Sequence, residues 1–298
     1  MNGFFCRFLF IFGIVLLINA CIPTGTTPIT RLPAYRGLYV NKFDTIFKDT
    51  SKENTLLRWA KKHNFNALTL YGLGEIIPYS SKYNDLAAFI SRAKNMYGIL
   101  EVNPTRGKAI DFTTHINAYN NSRSNNVEKF NWANLEREFW NGDNSFTFSY
   151  TQLQLMKNWG LTQSPIIKVE EYIGWLRDSS GAPANAIREA QIADSIVLVV
   201  DRLLLHDYQQ NLSFSYVQSR LDILGQKAIA QGKVLDVVII FSAENPTFTG
   251  VYFTTHAFVD AYNFINNANN SATYTGKAGI RLIGYQIYNY SHAAAARP

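Results

Sequence analysis

At 298 residues, with 47% hydrophobic and 17% charged side chains, the chain can bury a large core, which excludes an intrinsically disordered protein over most of its length. Its 28 Lys and Arg against 22 Asp and Glu leave a formal charge of +6, a mild and scattered excess that argues against a nucleic-acid partner. One large domain is the natural reading, because α/β barrels of about 250 residues fold as single domains.

The first twenty residues, MNGFFCRFLFIFGIVLLINA, place one charge, Arg7, ahead of an apolar run from Phe8 to Ile18. That run has the length of a signal-peptide core and falls short of the roughly 20 residues of a membrane span. Ile18, Asn19, Ala20 and Cys21 resemble the lipobox of bacterial lipoproteins, although Asn19 is an unusual occupant. The resemblance implies cleavage before Cys21, lipidation of that residue and an exported protein anchored to the cell envelope, with simple secretion as the alternative. Cys6 would leave with the signal, so Cys21 becomes the only thiol and neither an intramolecular disulfide nor a cysteine metal site can form. Residues 22–36, with Pro23, Pro28 and Pro33 among Thr and Gly, read as a tether to a domain covering 37–298.

From Gly37 onward, short β-branched or aromatic runs alternate with segments of helical period. Strands are predicted at Gly37–Phe43, Ala67–Tyr71, Gly98–Asn103, Trp132–Trp140, Ile166–Tyr172, Ser195–Asp201, Val237–Ser242 and Gly284–Tyr290. Helices are predicted between them: one opens with the capping pair Thr50 and Glu53 and ends at Asn64. The others cover Asp85–Tyr97, Asp111–Tyr119, Tyr150–Trp159, Ala186–Ala193, Tyr216–Ala230 and Thr254–Ile265. Seven helices between eight strands is the count of a closed (β/α)₈ TIM barrel, with an open doubly wound sheet as the alternative.

In such barrels function lies at the C-terminal strand ends, and the fourth predicted strand is the most informative. Alternation puts Asn134, Glu136, Glu138 and Trp140 on one face, lining up an amide and two carboxylates. If that face points inward, the two carboxylates cannot both ionise cheaply, and one is biased toward holding a proton. The spacing Asn131, Asn134, Glu136, Glu138 resembles a degenerate D-x-x-D-x-D-x-E signature of family 18 glycoside hydrolases. Only Glu138 matches outright: amides stand at Asn131 and Asn134, and Glu136 is one methylene longer than the expected aspartate. Gly37, Leu38 and Tyr39 resemble that family's first strand. Gly284 to Tyr288 resemble its last, with Tyr288 where a tryptophan is common. The resemblance implies substrate-assisted retention on an N-acetylglucosamine-containing glycan, with Glu138 as the general acid and Glu136 orienting the 2-acetamido group.

Other readings stay open. The same carboxylates could face the helix layer and pair with Arg137 or Lys129, or Glu138 could work with Glu244 after the seventh strand, where other barrel glycosidases place a nucleophile. Asp201 with Arg202, and Glu170 with Glu171, fall at predicted strand ends as ion pairs or ligand contacts. Trp140, Tyr172, Trp175, Tyr288 and Tyr290 are candidates for stacking on sugar rings. No phosphate-binding glycine pattern occurs, Ser242 lacks a nucleophile elbow, and five histidines lack metal-ligand spacing, so neither cofactor nor metal is expected. A monomeric glycoside hydrolase, a non-catalytic glycan-binding lipoprotein and a surface scaffold are the three functional classes consistent with the chain.

Overall fold

The computed structural model describes residues 32–142, 145–178 and 185–298, so the signal segment and Cys21 lie outside the described residues. Eight parallel strands alternate with helices along the chain. They are β1 (Tyr35–Val40), α1 (Thr50–Lys62), β2 (Ala67–Leu70), α2 (Tyr83–Tyr97) and β3 (Glu101–Arg106), then α3 (Asn117–Asn121), β4 (Trp132–Glu136), α4 (Phe146–Leu161) and β5 (Lys168–Ile173). The second half holds α5 (Ala186–Val199), β6 (Arg202–His206), α6 (Phe214–Ala230), β7 (Leu235–Ser242), α7 (Phe258–Ser271), β8 (Ile280–Tyr288) and α8 (Tyr290–Ala296). The sheet closes on itself where β8 pairs with β1, from Tyr35 opposite Gly284 to Leu38 opposite Ile287. This is the (β/α)₈ barrel that the alternation implies, and residues 33–298 form one unit.

Outward strand positions are apolar, as strands covered by helices require: Leu38, Leu68, Val102, Leu135, Val169 and Leu203 are fully buried. The inward positions of the lower barrel are polar instead. Arg202 points inside with its side chain only 3% exposed. Its Nε donates to Glu170 Oε2 at 2.7 Å and one terminal nitrogen to Glu101 Oε2 at 2.9 Å. The guanidinium is sandwiched between the rings of Trp132 at 3.7 Å and Tyr35 at 4.2 Å. Tyr35 and Thr69 donate to Gln286 Oε1 at 3.2 and 2.9 Å, which completes this layer.

The first helix starts one residue from its predicted cap. The cap of α1 is Asp49, whose carboxylate accepts from the amides of Ser51 and Lys52, so Thr50 lies inside the helix. Glu53, instead of closing a capping box with Thr50, accepts from the Lys48 amide at 2.9 Å and pairs with Arg92. The segment before α3 is wound as a π-helix over Asp111–Ile116.

The sixth strand needs a larger correction. Ser195–Val199 continues α5, with Ile192, Ile196 and Val199 buried and Leu198 64% exposed, and the strand is the next run, Arg202–His206. A short apolar β-branched run satisfies either period, and here the helical face continues through it. Asp201 therefore sits at the N-terminal end of β6, at the bottom of the barrel. It pairs with Lys157 at 2.6 Å and accepts from the Val169 amide at 2.8 Å, fastening α4 to the strand ends. It is no ligand contact at the mouth. Arg202, read as its loop partner, belongs to the interior.

Removing Arg202 leaves Glu170 buried and uncompensated. Arg202→Met is expected to lower unfolding free energy by about 3–5 kcal/mol, measured by urea denaturation, and adding Glu170→Leu should recover part of that loss.

Candidate active site

β4 ends at Glu136, four residues before its predicted end, and Glu138 precedes a single 3₁₀ turn, Phe139–Asn141. The side chains nevertheless keep the face that alternation gives them. Asn134, Glu136, Glu138 and Trp140 all line one cavity of about 370 Å³ at the C-terminal mouth. Tyr172, Trp175, Glu244 and Tyr288 line the same cavity, so of the residues singled out as possible ligand contacts it omits Glu170, Glu171, Asp201, Arg202 and Tyr290. Tyr290 opens α8 and packs edge-on against Trp59 at 5.4 Å.

Glu136 is held from across the barrel. Tyr39 on β1 donates to its Oε2 at 2.6 Å, and Thr105 Oγ1 on β3 lies 3.2 Å from the same oxygen. The Thr105 hydroxyl has one proton and a shorter contact, 2.6 Å, to Asn134 Oδ1. Asn134 then donates to Glu170 Oε1 at 3.1 Å, which ties the mouth to the Arg202 layer below. Burial pushes the Glu136 carboxyl above its usual range, Tyr39 and Thr105 pull it down, and the charge of Glu138 adds a further upward push. Of the two neighbouring carboxylates, the deeper one is biased toward its protonated form.

Glu138 is half-buried, and Asn141 donates to its Oε2. On the far wall Ser242 donates to Glu244 Oε2 at 3.1 Å, beyond the end of β7. Aromatic rings fill the wall between. Trp140, only 1% exposed, meets Tyr172 edge-on at 5.4 Å, and Tyr288 lies 4.9 Å from Tyr39 and 5.9 Å from Tyr208. Gly174 is required here: a Cβ would stand 2.6 Å from the Trp140 indole and 2.7 Å from the His206 ring.

His206, Tyr208 and Tyr216 also line the cavity; the sequence reading passes over His206 and Tyr208 because it puts the sixth strand one element too early, and Tyr216 because nothing in the helical pattern of α6 marks it as facing the mouth. His206 Nδ1 is 3.3 Å from the Tyr172 hydroxyl. Burial and the neighbouring Arg220 push its imidazole down to about 3, so it is neutral at physiological pH. Thr105 was missed for a related reason, since the third strand runs on through Pro104 to Arg106. Glu170 and Glu171, read as a strand-end pair, point to opposite sides of the wall. Glu170 is in the interior network, whereas Glu171 is fully buried among the described residues with no partner, and burial pushes it well above the carboxylate range. Among the described residues no group of three His, Cys, Asp or Glu side chains could hold a metal ion.

No protein-family model matches the sequence, and no curated protein matches it. Solved structures do resemble the barrel. The ICChI chitinase from Ipomoea carnea aligns with a TM-score of 0.52 at 13% identity, over 88% of this chain and 97% of that one. The α-L-arabinofuranosidase from Thermotoga maritima aligns at 0.53 and 8% identity, over 87% of this chain and 65% of that one. At such identities the likeness concerns the fold, an eight-stranded barrel of the kind found in chitinases and other barrel enzymes.

Asp207 follows His206 beneath the cavity wall, and burial pushes its carboxyl up to about 7 against the pull of Gln209 and Arg220. The folded protein keeps that proton to higher pH than an unfolded chain, which releases it near pH about 4. Between those values the unfolded form binds fewer protons, so stability falls as pH rises, by up to about 1.4 kcal/mol per pH unit. Denaturation of wild type and Asp207→Asn across this range should show the wild type losing stability relative to the variant.

Proposed function

We propose that this protein is a glycoside hydrolase-like barrel acting on an N-acetylglucosamine-containing glycan by substrate-assisted acid catalysis. One observation carries the reading: Glu136 and Glu138 share one wall of an aromatic-lined cavity at the C-terminal mouth, with Glu136 bound by Tyr39 from the opposite side of the barrel.

In this reading the pair holds one proton, which Glu136 yields to Glu138 when the sugar's acetamido N–H docks on Glu136, and Glu138, the more accessible carboxyl, gives it to the leaving glycosidic oxygen. The carbonyl oxygen of the sugar's 2-acetamido group attacks the anomeric carbon as the C–O bond to the leaving group breaks, and a cyclic oxazolinium forms. Glu136 accepts from the acetamido N–H. As positive charge develops on that group, the ionised Glu136 stabilises it, and Glu138 is left anionic. Water later opens the oxazolinium from the face that the leaving group vacated, giving retention, and Glu138 takes the proton. Tyr288 and Tyr172 offer aromatic surface to the sugar.

A glycan-binding protein without turnover is the second reading. It is favoured by Asn134, whose amide is engaged by Thr105 and Glu170 and brings no third acid beneath Glu136. The two readings separate on one variant. Hydrolysis of chito-oligosaccharides, peptidoglycan fragments and N-glycan cores by an active wild type should fall at least about 10²-fold in Glu138→Gln with glycan affinity retained. For a pure binder that substitution changes little and Trp140→Ala costs more. Undiminished turnover would exclude the acid role and shift attention to Glu244.

We also propose that the protein is exported and carried on a lipid at Cys21. Mass spectrometry of the membrane fraction should find an acylated N-terminus at Cys21. An unmodified N-terminus, or retention of residues 1–20, would refute this.

A further inference from the structure

The aromatic cavity occupies only one side of the two carboxylates. On the other side a second hollow of about 530 Å³ is bounded by Tyr71, Thr105, Arg106, Lys108 and Arg137, and it shares Glu136 and Glu138 with the first. The carboxylates therefore stand on the divide between two chambers of different chemistry. The first is lined by Tyr, Trp and Phe rings with no Lys or Arg among its wall residues. The lining cations are all on the second side, Arg106 at the end of β3 and Lys108 and Arg137 in the segments that follow β3 and β4.

These cations are not equivalent. Arg106 Nε lies 3.2 Å from Asp111 Oδ2, so that pair is neutral within itself. Among the described residues, neither Lys108 nor Arg137 forms an ion pair. Lys108 is exposed on the rim. Arg137 is fixed without a carboxylate: a terminal nitrogen donates to the Gly107 carbonyl at 2.7 Å and the guanidinium lies over the Phe148 ring at 4.7 Å. Its Nε is buried with no acceptor. A planar guanidinium held by a ring and a carbonyl is preorganised to receive a carboxylate in a two-point hydrogen bond. The wall also carries Asp111, Glu136 and Glu138, but Asp111 is consumed by Arg106 and Glu136 is turned to Tyr39, which leaves two cations facing Glu138 alone.

We infer that the glycan bears a carboxylate on the sugar that lies on the β3–β4 side of Glu136 and Glu138, and that Arg137 and Lys108 recognise it. A neutral N-acetylated sugar would occupy the aromatic chamber and an acidic sugar the cationic one, with the bond between them over the carboxylates. This rests on the glycan reading above and adds a substrate class to it.

The test uses the purified protein carrying Glu138→Gln, so that ligands persist, and isothermal titration with three tetrasaccharides. One is the neutral β-1,4 oligomer of N-acetylglucosamine. The second alternates N-acetylglucosamine with its lactyl-ether acid, and the third alternates N-acetylglucosamine with a hexuronic acid, which distinguishes the two sources of the carboxylate. One of the acidic ligands should bind at least about tenfold tighter than the neutral one in dilute buffer, with the advantage shrinking as salt is added. Adding Lys108→Gln or Arg137→Gln should each reduce that advantage about three- to tenfold and leave the neutral affinity unchanged. Lys108, being exposed, keeps the test informative should the Arg137 change disturb folding. Neutral binding equal to or tighter than both acids, or variants that weaken all three ligands alike, would overturn the inference while leaving the glycan reading intact. Binding of none of the three would overturn both.

Discussion

A buried arginine inside the barrel is the constraint from which the rest of the interior follows. Arg202 cannot shed its charge, so a barrel that contains it must provide carboxylates, and Glu170 does so from the adjacent β5 and Glu101 from β3 across the interior. The rings of Trp132 and Tyr35 cover the two faces of the guanidinium, leaving its edge for hydrogen bonds. Once Glu170 is committed to Arg202 by one oxygen, its other oxygen must be satisfied from above, and Asn134 donates to it. Thr105 fills the acceptor side of that amide, and Glu136 comes next toward the mouth. The site is the open end of a hydrogen-bonded column whose closed end is an ion pair.

That column sets the chemical character of the mouth. A carboxyl at the top receives Tyr39 from the opposite wall, and burial there favours its neutral form. Glu138, just past the strand end, lines the cavity and is restrained only by Asn141 among the described residues. Two carboxyls two residues apart thus have different surroundings, one anchored and one accessible, which is the asymmetry that acid chemistry at a single bond requires. The aromatic cluster does comparable work on the other wall: Gly174 lets the Trp140 indole lie directly against backbone, and the indole in turn carries Tyr172.

How far the sequence was legible depended on what each signal measured. Alternation of apolar runs with helical periods reported the barrel closure, because it records burial on both faces of a parallel strand, as at Leu68, Val102 and Leu203. The common lining by Asn134, Glu136, Glu138 and Trp140 was legible although the strand stops at Glu136, because the 3₁₀ turn Phe139–Asn141 that follows Glu138 keeps Trp140 on the cavity wall. Position along the barrel axis was much less legible. Ser195–Val199 is as β-branched as a strand, and only the helical burial of Ile192, Ile196 and Val199 shows what it is, so Asp201 was put at the wrong end and His206 and Tyr208 were overlooked. Likewise the interior partners of Arg202 come from β3 and β5, and no local pattern could report a contact between residues 101 and 202.

The departure at Asn134 from the family 18 pattern gains a physical account from the same column. The resemblance calls for an aspartate there, yet the side chain at this position stands 3.1 Å from a Glu170 oxygen. A second carboxylate at that distance would need a cation, and Arg202, the one near it among the described residues, is already shared between Glu170 and Glu101. An aspartate would therefore have to hold a proton or push Glu170 off the arginine, each costing several kcal/mol in so dry a setting. An amide avoids the conflict because it donates to Glu170 with its nitrogen and accepts from Thr105 with its oxygen. Glu170, one strand over, balances Arg202 and is not free to exchange protons with Glu136. On this account the amide at Asn134 suits a charged barrel interior, and any proton traffic at the mouth must run between Glu136 and Glu138 without a free third carboxyl beneath them.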